Sequence, residues 1–214
     1  MTLLSTLLSF FPTLVMVMAG ASFIWMCISP GVLSIGALIL SLYGVPLMVY
    51  RLHAKFYPVQ EGISYLRGTD YSPWWGSHQI QIIYIAVPIL ETLLRLIPGA
   101  FSLWLRLWGA QIGRDVYWTP RLELADRGLI QVGDRTVIGN GVSLYSHAIK
   151  PKKDNLLLYV KPIIMGRDAF IGGGCRLAPG VTVADGACVP TLTDLFPNRT
   201  ADSIIEQEQA SCAG

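Results

Sequence analysis

The chain has 214 residues, of which 52% are hydrophobic and 14% charged, and its mean hydropathy is +0.49. This excludes an ordinary soluble domain, in which about a quarter of residues carry charge. A formal net charge of +2 supplies no dense basic face, so nucleic acid is not an expected partner.

Residues 1–50 contain no Asp, Glu, Lys, Arg or His, and Arg51 is the first charge. Two apolar runs, residues 3–27 and 32–50, flank Ser29-Pro30-Gly31. A helix needs roughly 20 apolar residues to cross a hydrocarbon core, and backbone groups in lipid must be satisfied internally. The expectation is a transmembrane helical hairpin over residues 1–55, with Pro30-Gly31 making the reversal. Small residues at Ala19-Gly20-Ala21, Gly36 and Gly44 suit close helix packing. A cleaved signal peptide fits less well, because no basic segment precedes the first run. Arg51, Lys55 and Arg67 follow the second run while the turn is uncharged. The positive-inside rule then puts both ends of the hairpin in the cytosol. The expected location is a bacterial inner (cytoplasmic) membrane, with the remaining domain on its cytosolic side.

Residues 56–110 carry Tyr71, Trp74, Trp75, Trp104 and Trp108, residue types that settle at a membrane–water boundary. The apolar stretch 80–105 is broken by Pro88, Glu91, Arg95 and Pro98. It reads as a linker of one or two interfacial helices, with a third crossing as the alternative. Glu91 and Arg95, four apart, can pair on one helix face.

From residue 112 a six-residue rhythm sets in. Ile112-Gly113 is followed by Val132-Gly133, Ile138-Gly139 and Leu144, then by Met165-Gly166, Ile171-Gly172, Leu177-Ala178, Val183-Ala184 and Val189-Pro190. An aliphatic residue and a small neighbour every six residues is the signature of a parallel β-helix. The aliphatic side chain fills the inside of the coil, and the small one permits a corner where a larger Cβ would clash. Residues 111–195 are therefore expected to form about four coils, and 196–214 a tail. The rhythm breaks twice. Ile112 to Val132 is too long by two residues, and residues 146–162 form an excursion containing Lys150, Lys152, Lys153 and Lys161. Excursions from repeat folds commonly bind ligands.

The hexads, the histidine before a lysine-rich excursion, and Ile171-Gly172-Gly173-Gly174 through Pro179-Gly180-Val181 resemble the hexapeptide-repeat acyltransferases. Maltose, galactoside and serine acetyltransferases belong to that group. Tyr71-Ser72-Pro73-Trp74-Trp75-Gly76 further resembles the membrane-bound β-helix domains at the C-terminal end of polylysine-type peptide synthetases. The resemblance implies a left-handed parallel β-helix joined to the helical hairpin. It also implies a homotrimer, an acyl-CoA or acyl-ACP co-substrate lying between two β-helices, and a catalytic histidine in front of the excursion.

His147 is the only histidine in the repeat half. Acyl transfer to a hydroxyl or amine needs a base of near-neutral pKa, so His147 is the candidate general base. Its orienting partner is open among Asp126, Glu123 and Asn140, because the two-residue bulge hides the register. Gly173 and Gly174 would admit a pantetheine arm close to the backbone, and Ala178 would extend that wall. Lys150, Lys161, Arg167 and Arg176 are candidates for the donor's phosphates. The expected acceptor is a lipid-linked or otherwise hydrophobic molecule, and the alternative role is a non-catalytic membrane-tethered trimeric scaffold. No metal is expected. A zinc hydratase on the same fold would need three histidines, and no HExxH, phosphate loop or dinucleotide fingerprint occurs. The four cysteines show no CxxC spacing and read as reduced thiols.

Overall fold

The computed structural model describes residues 2–202. The chain forms two units: residues up to 60 with 65–86, and residues 61–64 with those from 87 onward.

In the first unit, α1 (Leu3–Ser9) and α2 (Phe11–Ile28) run up to the Ser29-Pro30-Gly31 reversal. There follow α3 (Val32–Ile39), a π-helical turn at Leu40–Gly44 and α4 (Val45–Phe56). Taken as 3–28 and 32–56, these make two helices long and apolar enough to cross a membrane. The π turn sits just before Pro46, which has no N–H to offer the preceding turn. The Leu42 carbonyl instead accepts from Tyr84 Oη at 2.7 Å. Close packing falls at other small residues than the glycines: Ala19 and Ser41 are buried, and Ser22 Oγ meets Ser41 Oγ at 3.2 Å. Gly20 and Gly36 face open space.

Helix α5 (Pro73–Ala86) also belongs to this unit. Here Gly76 is required by contact: a Cβ would lie 1.9 Å from Tyr71 Oη and 2.6 Å from His53 Nε2. Those two atoms are hydrogen-bonded at 2.6 Å, and the Tyr57 ring meets Tyr71 edge-on at 4.9 Å. Burial, with Tyr57 as the lesser cause, pushes the Tyr71 phenol up to about 12.

In the second unit, α6 (Ile89–Arg95) and α7 (Ala100–Leu107) are separated at Pro98-Gly99. At 14, 7 and 8 residues, α5 to α7 are each too short to cross a bilayer alone. Residues 87–107, expected as part of a linker, pack as a cap on the first coil. Trp118 Nε1 donates to Ser102 Oγ at 2.9 Å, and Arg106 donates to the Ile112 and Gly113 carbonyls at 2.9 and 2.6 Å. Glu91 takes Arg127 Nε and Nη2 at 2.6 and 3.0 Å, Trp104 Nε1 at 3.0 Å, and Arg95 Nη2 at 3.7 Å. Trp104 and Trp108, expected as a membrane belt, are buried, because aromatic rings of this size also fill a cap.

The hexads wind through three parallel sheets. The first holds Gln111–Ile112, Ile130–Val132, Ile163–Met165, Thr182–Val183 and Thr200–Ala201. The second holds Tyr117–Trp118, Val137–Ile138, Phe170–Ile171 and Cys188–Val189, and the third Leu122–Leu124, Val142–Leu144, Arg176–Leu177 and Asp194–Leu195. Ile112, Val132, Met165 and Val183 stack in register on the first face. Ile138, Leu144, Ile171 and Leu177 are fully buried inside the coils. Two rungs beyond residue 189 continue the rhythm, so part of the expected tail is coil. Among the cysteines, Cys27 and Cys175 are free, but Cys188 is disulfide-bonded, against the expectation of reduced thiols; Cys212 lies outside the described residues. Spacing along the chain cannot reveal which cysteines meet.

Gly172 shows why the small positions are small. A Cβ there would sit 2.5 Å from Thr191 N and 2.7 Å from the Pro190 carbonyl carbon, on the next coil's backbone. Gly172→Ala is expected to cost about 1–3 kcal/mol, read as a lowered melting temperature of the detergent-solubilised protein. Gly20→Ala, in open space, serves as the unchanged control.

Candidate active site

Both breaks in the rhythm fall at one corner, where the chain passes from the third sheet to the first. In the first coil the extra two residues lie between Leu124 and Val132, as a 3-10 turn at Arg127–Leu129 preceded by Asp126. In the next coil the excursion leaves the same corner as an antiparallel hairpin, His147–Lys152 with Asn155–Val160. Parallel register sets Glu123 beside Ser143 and Leu124 beside Leu144. The two irregular corners therefore stack, and His147 Nδ1 meets Asp126 Oδ2 at 2.7 Å. The side chains are 16% and 3% exposed respectively. Ser146 Oγ donates to the Leu129 carbonyl at 2.9 Å, tying the hairpin's root to the turn beneath it.

A carboxylate on Nδ1 fixes the imidazole tautomer and turns the Nε2 lone pair towards any acceptor. His147 lines a cleft of about 400 Å³ together with Tyr145, Arg176, Ala178, Pro179 and Phe196. Burial, then a hydrogen bond with Glu123, pushes the Tyr145 phenol up. Tyr145, Asp194 and Phe196 were missed in the sequence, although the six-residue spacing from Val189 to Leu195 could have flagged the last coil.

The other candidates separate by corner. Glu123 accepts from Ser143 Oγ at 3.2 Å, on the sheet rather than at the corner. Asn140 is exposed at the corner between the second and third sheets, where its carbonyl accepts from Gly174 N at 2.8 Å. Gly173 and Gly174 share that corner, so these three residues are not brought to His147. Only two positions past Ile138, the chain has not yet reached the third sheet. Ala178 does line the His147 cleft.

Of the cations, Arg176 lines the cleft but is bound by both nitrogens of its fork to Asp194, one contact at 2.7 Å. Each holds the other charged: the Arg176 pKa rises and that of Asp194 falls. Arg167, at another corner, is likewise paired with Asp185 at 2.9 Å. Lys161 Nζ donates to Asn198 Oδ1 at 2.9 Å, and Lys150 is exposed on the hairpin opposite Leu157. A charge already matched by a carboxylate offers less to a phosphate, which weakens the case for Arg167 and Arg176. No group of three metal-ligating side chains occurs among the described residues.

No protein-family model matches the chain. WcaF of Escherichia coli strain K12, which bears the name of a colanic acid biosynthesis acetyltransferase, is 26% identical over 120 residues. That match takes in 47% of this chain and 66% of WcaF, so the chain spans just under two thirds of the relative's length. Nodulation protein L of Rhizobium leguminosarum bv. viciae is 36% identical over 75 residues, 34% of this chain and 40% of that protein. Among solved structures, the hexapeptide-repeat acetyltransferase VCA0836 of Vibrio cholerae with acetyl coenzyme A aligns at a TM-score of 0.42 and 17% identity, covering 64% of this chain and 90% of that one. The parallel hexad register and the histidine-bearing excursion thus stand beside a sequence likeness to an acetyltransferase, WcaF, and to nodulation protein L.

Proposed function

We propose that the chain is a membrane-associated acyltransferase. It moves an acyl group, acetyl in the simplest case, from CoA or a carrier thioester to a hydroxyl or amine of a membrane-associated acceptor. The observation that carries this reading is the His147–Asp126 pair at the cleft. His147 Nε2 takes the acceptor's proton as its oxygen or nitrogen attacks the thioester carbonyl. The tetrahedral intermediate then collapses, the C–S bond breaks, and the proton passes from the imidazolium to the departing thiolate. Asp126 stabilises the imidazolium while it exists.

By family resemblance three chains assemble and the donor lies between two β-helices, with Ala178 and Pro179 forming part of its wall. The two N-terminal helices supply the membrane attachment, and the charges following them favour a cytosolic catalytic side. Such tethering suits an acceptor or product held in the bilayer.

The reading is tested by incubating the detergent-purified chain with acetyl-CoA and longer acyl-CoAs, with and without bacterial inner-membrane lipid extract. The expected result is thiol release that rises with extract, together with a lipid fraction heavier by one acyl group. Equal thiol release with and without extract, and no acylated product, would remove the membrane acceptor from the proposal.

A further inference from the structure

A second cleft, of about 690 Å³, lies between the helical cap and the first coil, and shares no residue with the His147 cleft. Three arginines line it, Arg95, Arg106 and Arg114, against one carboxylate, Asp115. Arg106 and Arg114 have no ion-pair partner among the described residues. Among the described residues Arg95 has one ion-pair partner, Glu91 at 3.7 Å, which Arg127 already holds with two shorter bonds. The guanidinium of Arg95 is pinned by the Pro120 carbonyl at 2.6 Å and stacked 4.4 Å over the Phe101 ring, and Arg106 is pinned by Ile112 and Gly113. Carbonyls fix these cations without neutralising them. The Arg95 side chain is only 2% exposed, yet its Nε is buried without a hydrogen-bond partner. A buried, unsatisfied donor on a cation that shares its one carboxylate with Arg127 costs free energy, which an anion in the cleft would recover.

The surroundings narrow the anion's chemistry. Leu96 and Ile97, which line the cleft, are 66% and 59% exposed, and Leu93 and Leu103 beside them are exposed too. Tyr117, at the cleft's other wall, is also exposed. An apolar rim around fixed guanidinium groups matches a charged head that carries an apolar tail. We propose that this cleft binds a phosphate ester borne on an apolar chain, an anionic lipid headgroup at the membrane surface. The site is independent of the acyl-transfer reading, since binding there requires none of the His147 cleft.

The test is calorimetric titration of the full-length chain in neutral detergent with a short-chain phosphatidic acid, the matching phosphatidylcholine, and inorganic phosphate. Saturable binding of phosphatidic acid, with phosphatidylcholine much weaker, is expected. Arg114→Gln should raise its Kd about tenfold or more, the loss of one charge-assisted contact. The Arg114 side chain is exposed and has no ion-pair partner among the described residues, and the bond from its backbone N–H to Asp134 Oδ1 at 2.7 Å survives the substitution, so this variant keeps the fold; Arg106→Gln, which also loses two coil contacts, is the stronger but riskier companion. Lys150→Gln, on the hairpin, should leave the Kd unchanged. Equal binding of the two lipids, an unchanged Kd in Arg114→Gln, or a loss confined to Lys150→Gln overturns the assignment. Tight binding of inorganic phosphate that no lipid displaces overturns the lipid part of it.

Discussion

His147→Ala should lower the rate of acyl transfer by about 10²- to 10⁴-fold, the usual contribution of a positioned general base. The melting temperature should fall only moderately: the imidazole is at the root of a surface hairpin, but its loss takes a 2.7 Å partner from Asp126, whose side chain is 3% exposed. Its partner gives a sharper test. Asp126→Asn keeps a side chain of the same shape 2.7 Å from Nδ1, but the amide can donate to that nitrogen, so the ring is no longer forced into the productive tautomer. The expected loss is at least about a hundredfold in kcat, with KM for the acyl donor little changed. If both variants release thiol at the parent rate, His147 and Asp126 are structural neighbours and the base lies elsewhere.

Glu91→Ala should be the most destabilising single change, at about 3–5 kcal/mol, the cost of stranding one partner of a buried ion pair. Glu91 is 3% exposed and Arg127 is fully buried. Removing the carboxylate leaves the Arg127 guanidinium without its two carboxylate bonds and Trp104 Nε1 without its acceptor. The measurement is thermal unfolding in detergent, compared with Asp185→Ala. That residue also loses an arginine partner, but both side chains are more than half exposed, so its effect should be slight. Because Arg127 follows Asp126 in the corner turn, partial loss of activity in whatever Glu91→Ala protein survives would fit a cap that steadies the corner holding Asp126 and His147. A Glu91→Ala melting temperature equal to that of Asp185→Ala would show that the buried pair contributes nothing.

The repeat half was largely readable from residues alone. Ile138, Leu144, Ile171, Leu177 and Val183 recur at six because each fills the same position inside a coil, and their small neighbours recur because the next coil leaves no room for a Cβ. Trp118 escaped notice as a rung because an aromatic breaks the aliphatic–small pattern; it fits where α7 supplies Ser102 and Phe101 to receive it. Trp104 and Trp108 misled in the opposite direction, since amphipathic aromatics suit both a bilayer boundary and the inside of a cap.

The sequence by itself determined a hydrophobic hairpin, a coil of hexads and a single repeat-half histidine ahead of an excursion, because each is a local or periodic property of the chain. Only the tertiary structure decided which acid meets that histidine, that α6 and α7 close the first coil, and that Asn140 and Gly173 lie at another corner. Those outcomes depend on where two unpaired residues bulge out of a stack. A bulge shifts every later residue relative to the coil beneath it, and spacing along the chain does not say at which corner the shift occurs.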